Sequence, residues 1–584
     1  MKIDEPKGAG KVSIGWGSDA VAEMLNRIGL EFVALNPGAS FRGLHDSIVN
    51  YLGNKNPQIL LTLHEEHAVS IAQGYAKVKE KPMGAIVHSN VGLMHATMSI
   101  FNAWCDRAPV IIFGATGPVD AARRRPWIDW IHTARDQGAL IRDYTKWDDQ
   151  PGSVSAALES VLRANVISQT PPRGPVYVCL DVALQEDEIG GEIPFQDVSR
   201  FMPGRSQEVS REGLKAAAEL LLKAKNPVIL MGRTSRGKGA WNRRVKFAEA
   251  LGAKVLTDMK VPAAFPSKHP LHAALPGLFL SKEGADLIRG SDVILSLDWV
   301  DLGGTLKTVW GEGEFDAKVI HCSVDQHNHK GWSMDYFGLP PVDVGIFAEP
   351  DTVISTLLDA VQDMKGAGVA GILPEDEKED FTPLKPVAEQ APEETSGPVT
   401  LRSLAIYLKR AIGEKSVCIT RVPIGWPGDI LEFKDPLDYL GKEGGGGVGA
   451  GPGVSVGAAL ALRDSGRLPI AVLGDGDCLM GVTAFWTAAR YRIPLLVIVA
   501  NNRSFGNSQN HQRRVAGHRH RPEENQWIGT RIDDPSVDIG SMARAQGMKA
   551  EGPITDLKDL PGALERAIKV VEKGEGIILD VLTK

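Results

Sequence analysis

The chain has 584 residues, more than one hydrophobic core accommodates, so several domains are expected. A hydrophobic fraction of 43% and a charged fraction of 23% are ordinary for a globular protein in water, and no stretch approaches the roughly 20 apolar residues of a membrane span. The net charge of −7 argues against a general nucleic-acid binder, which needs a basic surface to neutralise phosphates.

From about residue 12, helical patterns alternate with short apolar strands. SDAVAEMLNRIG puts Val21, Met24, Leu25 and Ile28 on one helical face, and EFVALNPGAS reads as a strand ending in a Pro-Gly turn. MGAIVHSN, APVIIFGATG and GPVYVCLDV follow as almost wholly apolar strands, the pattern of a parallel sheet buried on both faces. This first unit is expected over 10–190. A second, over 205–365, carries NPVILMG, AKVLTD, SDVILSLDW and AKVIHCSVD. The Pro- and Glu-rich segment 366–398 reads as an exposed linker. A third unit, over 399–584, contains SVCITRV, PIAVLGDG, PLLVIVANN and GIILDVL. The expected fold class is therefore α/β, with three consecutive doubly wound domains built on parallel sheets. The five cysteines, Cys105, Cys179, Cys322, Cys418 and Cys478, lack CxxC spacing, as buried free thiols do. With no apolar stretch of a signal peptide in MKIDEPKGAGKVSIGWG, a cytoplasmic location is expected.

In the third unit an apolar run enters Gly474-Asp475-Gly476, a helix is expected from about Cys478 to Tyr491, and the next run ends on Asn501-Asn502. Open α/β sheets bind ligands at the carboxyl ends of their strands. The Asp475 carboxylate and the Asn502 amide oxygen are hard donors suited to Mg²⁺ or Ca²⁺. Flanking glycines let the backbone approach closely, and a helix start directs N–H groups at an anion. A hard dication beside an anion suggests a diphosphate. Asn502 follows Asp475 by 27 residues, and GDG followed at this distance by NN resembles the motif of the thiamin diphosphate (ThDP) enzymes, the family of acetolactate synthases and benzoylformate decarboxylase.

The resemblance implies that Asp475, Asn502 and the Ser504 carbonyl hold Mg²⁺ or Ca²⁺, and that Gly474, Asp475, Gly476, Asp477 and Asn502 contact ThDP. TLHEEHAVSIAQGYAKV is similar to a family segment in the first unit, and alignment on Gly74-Tyr75-Ala76 puts the catalytic glutamate at Glu65, with Glu66 as its neighbour. GGGGVGAGPGVSVGAAL resembles the segment around the aminopyrimidine, implying a contact from the Gly446 carbonyl and a prop at Val448. IVHSNVGLMHATMSIFNAWCDRAPVIIF is close to the benzoylformate decarboxylase pattern, which implies a proton-relaying role for His88.

Three places depart from these relatives. NPGASF has Ala39 directly after Asn-Pro-Gly, with Ser40 one place on; LDWVDLGGTLK offers no counterpart to the decarboxylase's second catalytic histidine; NNRSFGNSQNHQ carries Asn507 and His511 where acetolactate synthases have an apolar residue and a Trp. Ser40, Asn507 and His511 are the expected substrate contacts, and the latter two point to an oxygen-rich or anionic substrate. HQRRVAGHRHRPEENQWIG reads either as a lid that clamps a carboxylate or phosphate, or as a solvated loop or subunit contact paired with Glu523 and Glu524. MGRTSRGKGAW lacks GxGxxG and is weak evidence for FAD, which some relatives hold in the central domain; nothing decides for or against a CoA ester.

In sum, the resemblance implies a ThDP- and Mg²⁺-dependent decarboxylase or carboligase that takes a 2-oxo acid through an enamine. It also implies a homodimer or homotetramer with shared active sites. The alternatives are a ThDP-dependent lyase or hydrolase acting on a 2-hydroxyacyl compound or 1,2-diketone, and a catalytically silent ThDP-binding subunit.

Overall fold

The computed structural model describes residues 4–8, 13–204, 209–311, 313, 316–325, 339–366, 395–442 and 444–584. Most of the expected linker, 367–394, lies outside the described residues. Three parallel sheets follow one another along the chain. The first contains β1 (Phe32–Leu35), β2 (Gln58–Leu61), β3 (Met83–Ile86), β4 (Val110–Thr116), β5 (Asp148–Asp149) and β6 (Val176–Asp181), in the order β2-β1-β3-β4-β6-β5. The second contains β7 (Pro227–Met231), β8 (Lys254–Leu256), β9 (Val293–Leu297), β10 (Lys318–Cys322) and β11 (Val344–Ile346), ordered β11-β10-β9-β7-β8. The third has β12 (Val417–Arg421), β13 (Leu468–Gly474), β14 (Leu496–Asn501), β15 (Lys549–Ile554) and β16 (Ile577–Leu582), ordered β12-β13-β14-β16-β15. Every pairing between these strands is parallel, as near-continuous apolar strands require.

The first and third units share a core. Helix Glu65–Lys79 crosses helix Ala450–Leu462, and Ala68, Ile71, Ala72 and Tyr75 bury against Val456, Ala459 and Leu460 in one cluster. The crossing is close enough to exclude side chains. A Cβ on Gly457 would stand 1.9 Å from the Ile71 carbonyl oxygen, and one on Gly74 would stand 1.9 Å from that of Val454. The glycine-rich run is therefore a packed helix start rather than a flexible loop from Ala450 onward.

The single helix expected from Cys478 to Tyr491 is instead two, Asp475–Met480 and Ala484–Tyr491. Crowding explains the break: a Cβ at Gly481 would lie 2.2 Å from the Gly449 carbonyl oxygen, so the chain turns there against the glycine loop. All five cysteines are free thiols, four of them buried. Among the described residues no helix is long and apolar enough to cross a membrane.

Candidate active site

Two clusters of polar side chains stand at strand ends of different units. In the third unit, β13 delivers Asp475 and β14 delivers the Asn pair at adjacent positions of one sheet edge. The Ser504 N–H donates both to Asp475 Oδ2 at 2.9 Å and to Asn502 Oδ1 at 3.0 Å, which gathers the three expected ligand residues. The two asparagines divide the work. Asn501 is buried and donates from Nδ2 to Asp580 Oδ1 at 2.9 Å, tying β14 to β16, whereas Asn502 is the exposed one turned toward Asp475. Burial pushes the Asp475 carboxyl up, opposed by the N–H groups of Gly476 and Ser504. A buried carboxylate and an amide oxygen converging in this way form a donor set that suits a hard dication. Gly474 leaves open space where a Cβ would stand, and the helix Asp475–Met480 begins immediately after it. The residues present therefore fit a diphosphate with its metal.

Asp477 has a structural task. Its Oδ2 accepts from Arg421 Nε at 2.8 Å, and its Oδ1 accepts from the Gly449 and Gly451 N–H groups. This carboxylate fastens the glycine loop to the end of β12. Gly446, at φ +67°, has open space around its missing Cβ, and the Val448 side chain is exposed.

The second cluster lies on the first unit. Glu65 opens helix Glu65–Lys79 and is buried, with Oε2 3.0 Å from His95 Nδ1. His88 follows β3, and Ser40 Oγ lies 2.8 Å from its Nδ1. The one-place shift of the serine is thus accommodated. The Ser89 N–H donates to Ser40 Oγ, so the hydroxyl proton can point at His88 Nδ1, leaving the ring proton on Nε2. Burial lowers the His88 pKa, and His132 lowers it further against the pull of Glu65.

Glycines make room for this set. A Cβ on Gly38 would lie 2.5 Å from the His88 ring, and one on Gly92 would lie 2.9 Å from both Glu65 Oε1 and His88 Cβ. A second histidine, not singled out from the sequence, stands beside His88 in the first unit. His132, from the loop after helix Ile128–Ile131, packs its ring 4.6 Å from that of His88. His95 and His64 were likewise not singled out from the sequence, because the proximity of each to Glu65 arises from helix Asn90–Cys105 lying against helix Glu65–Lys79 or from the cap of the latter.

Asn507 and His511 lie on helix Gly506–His518, so HQRRVAGH is helical rather than a loop. Both line a cleft of about 1870 Å³ where the three units meet, together with Gly446, Lys442 and Arg236. Burial holds the Lys442 ammonium down to about 8. Among the described residues, no hydrogen bond or ion pair joins Glu65 or His88 to Asp475 or Asn502.

The fold and these two half-sites define a class: an α/β protein with a donor set that suits a diphosphate and a hard dication on one unit and a carboxylate with imidazoles on another. Residues 15–140 match the thiamine pyrophosphate enzyme N-terminal TPP binding domain, 214–357 its central domain and 424–581 its C-terminal TPP binding domain. The chain belongs to the thiamin diphosphate-dependent enzyme family. It is 25% identical over 581 residues to a benzoylformate decarboxylase of Pseudomonas aeruginosa, covering 94% of this chain and 95% of that one. It is 23% identical over 584 residues to a probable acetolactate synthase large subunit of Methanocaldococcus jannaschii, covering 97% and 91%. The solved 4-hydroxybenzoylformate decarboxylase of Rhodococcus jostii RHA1 superposes with a TM-score of 0.78 at 21% identity, covering 97% of this chain and 99% of that one.

Proposed function

We propose that this chain is a Mg²⁺- and ThDP-dependent 2-oxo acid decarboxylase or carboligase acting on a polar acid. The observation that carries the reading is the pairing of Ser40 with His88 beside Glu65, at 2.8 Å, on the half-site that would face a substrate. Bound ThDP supplies an electron sink for cleavage of the bond next to a carbonyl.

The chain's own residues do the rest. Asp475, Asn502 and the Ser504 carbonyl hold the dication, and Gly474 with the following N–H groups receives the diphosphate. Glu65 holds a proton at the cofactor's pyrimidine ring. His88, neutral at pH 7 through burial, exchanges a proton with the substrate, and Ser40 fixes its ring. Asn507 and His511 face the cleft and orient the acid. Gly446 and Val448 support the pyrimidine end, and Asp477 holds their loop in place.

Among the described residues Glu65 and His88 make no hydrogen bond or ion pair with Asp475 or Asn502 of their own chain, and we infer a homodimer or homotetramer, each site built from the first unit of one copy and the third of another, with the protein in the cytoplasm. Purified protein with ThDP and Mg²⁺ should release CO₂ from polar 2-oxo acids, leaving an aldehyde or an acyloin. A ThDP-loaded sample that releases no CO₂ from any acid would overturn the reading, and turnover of a 2-hydroxyacyl compound or 1,2-diketone would replace it with a lyase or hydrolase.

A further inference from the structure

Five of the 14 histidines, His64, His67, His88, His95 and His132, stand on the first unit's half-site, and the proposed reaction uses one of them directly. His64 and His95 flank Glu65. His95 Nδ1 is 3.0 Å from Glu65 Oε2, and its ring stacks on His64 at 4.9 Å with 21° between the planes. One ligand atom from each of the three residues lies within 4.8 Å of the other two.

We propose that His64, Glu65 and His95 form a Zn²⁺ site, and that Zn²⁺ there competes with ThDP for Glu65. Two imidazoles and one carboxylate are a zinc donor set that leaves a fourth position open. Tetrahedral ligands at zinc bond lengths stand about 3.3 Å apart, so the His95–Glu65 pair is already spaced for a common ion and only the His64 ring has to close in. His64 Nδ1 now accepts from the Glu66 N–H, and binding through either ring nitrogen gives up that bond. His95 is more than half exposed and Glu65 is buried, so the ion has an entry from solvent onto a fixed carboxylate.

The donor chemistry separates this site from the other one. Imidazole favours Zn²⁺, whereas the oxygen set at Asp475 favours Mg²⁺, so zinc would silence the enzyme without displacing magnesium. The site itself rests on the three side chains; only its competition with ThDP rests on the reading of Glu65 as the cofactor-facing carboxylate.

The test is a calorimetric Zn²⁺ titration of the full, untagged chain, stripped of cofactor and kept in excess Mg²⁺ to fill the oxygen site. One Zn²⁺ per chain is expected, with affinity unchanged in D475N. Because losing an outer-shell partner alone weakens metal binding about 10–100-fold, loss of a ligand in H95Q or H64Q should weaken it at least about tenfold. His95 is exposed, so H95Q leaves the fold intact; H64Q, which alters a helix cap, is accompanied by a circular dichroism melt. Absence of binding, or binding that both variants retain at full affinity, would overturn the site. Saturating ThDP should raise the apparent Kd for Zn²⁺. Zinc affinity indifferent to ThDP, with the variants behaving as expected, would overturn the competition and the assignment of Glu65 to the cofactor, while the metal site would stand.

Discussion

At Gly92 a single missing methyl group serves the two side chains proposed for catalysis, because a Cβ there would press on both Glu65 and His88. The consequence is a carboxylate and an imidazole packed against one helix start, with Glu65 paired to His95 and His88 to Ser40, which is the preorganisation proton transfer needs. Glu65→Gln should therefore keep ThDP bound, as read by fluorescence titration, and remove nearly all turnover; unchanged turnover would refute the assignment of Glu65. Residues of this kind were legible in the sequence when a contiguous motif carried them. Glu65 opens a recognisable helix, and Asp475 and Asn502 sit at a fixed spacing at two strand ends. His132 and His95 have no such signal, since their partners lie 44 and 30 residues away and only the tertiary fold brings the rings together. The same holds for Arg421, whose pairing with Asp477 spans 56 residues.

Among the elements, the interior strands all announced themselves, whereas four of the six edge strands did not. β2, β5, β11 and β15 were not anticipated, and all four end their sheets. An edge strand is covered less completely, so it can be short or polar: β5 is two aspartates, and much of β15 is exposed. The helix crossing at Gly74 and Gly457 was equally hidden, because its two glycines lie 383 residues apart and only the tertiary fold brings them together. Gly457→Ala should destabilise the fold by about 1–3 kcal/mol or more in denaturant unfolding, since the new methyl meets backbone that has nowhere to go. Gly239→Ala is the control. It lies in helix Lys238–Leu251 with only the Arg243 guanidinium, 3.7 Å away, near the new methyl, so helix propensity should win and stability should rise by up to about 1 kcal/mol.

For the molecule as a whole, two buried imidazoles set a lower limit in pH. Burial holds His67 and His272 down to about 4, so both stay neutral in the folded state, while the unfolded chain protonates them near pH 6.5. Between those values the unfolded state binds more protons. Stability should hold above pH 6.5 and fall toward pH 4, by up to about 1.4 kcal/mol per histidine per pH unit. Thermal melts across that range check the slope, and H272N should flatten it. The separation of the two half-sites along one chain has a consequence in the language of genetics. If each site borrows one half from a second copy, E65Q and D475N damage different halves, and each alone is inactive. A mixed dimer of the two variants would hold one site with both defects and one with neither. Unfolding and refolding the two inactive proteins together should therefore restore about a quarter of the wild-type rate, as expected for random pairing in a symmetric dimer. Two null alleles of one gene would complement each other, whereas a site confined to a single chain would leave the mixture as dead as its parts.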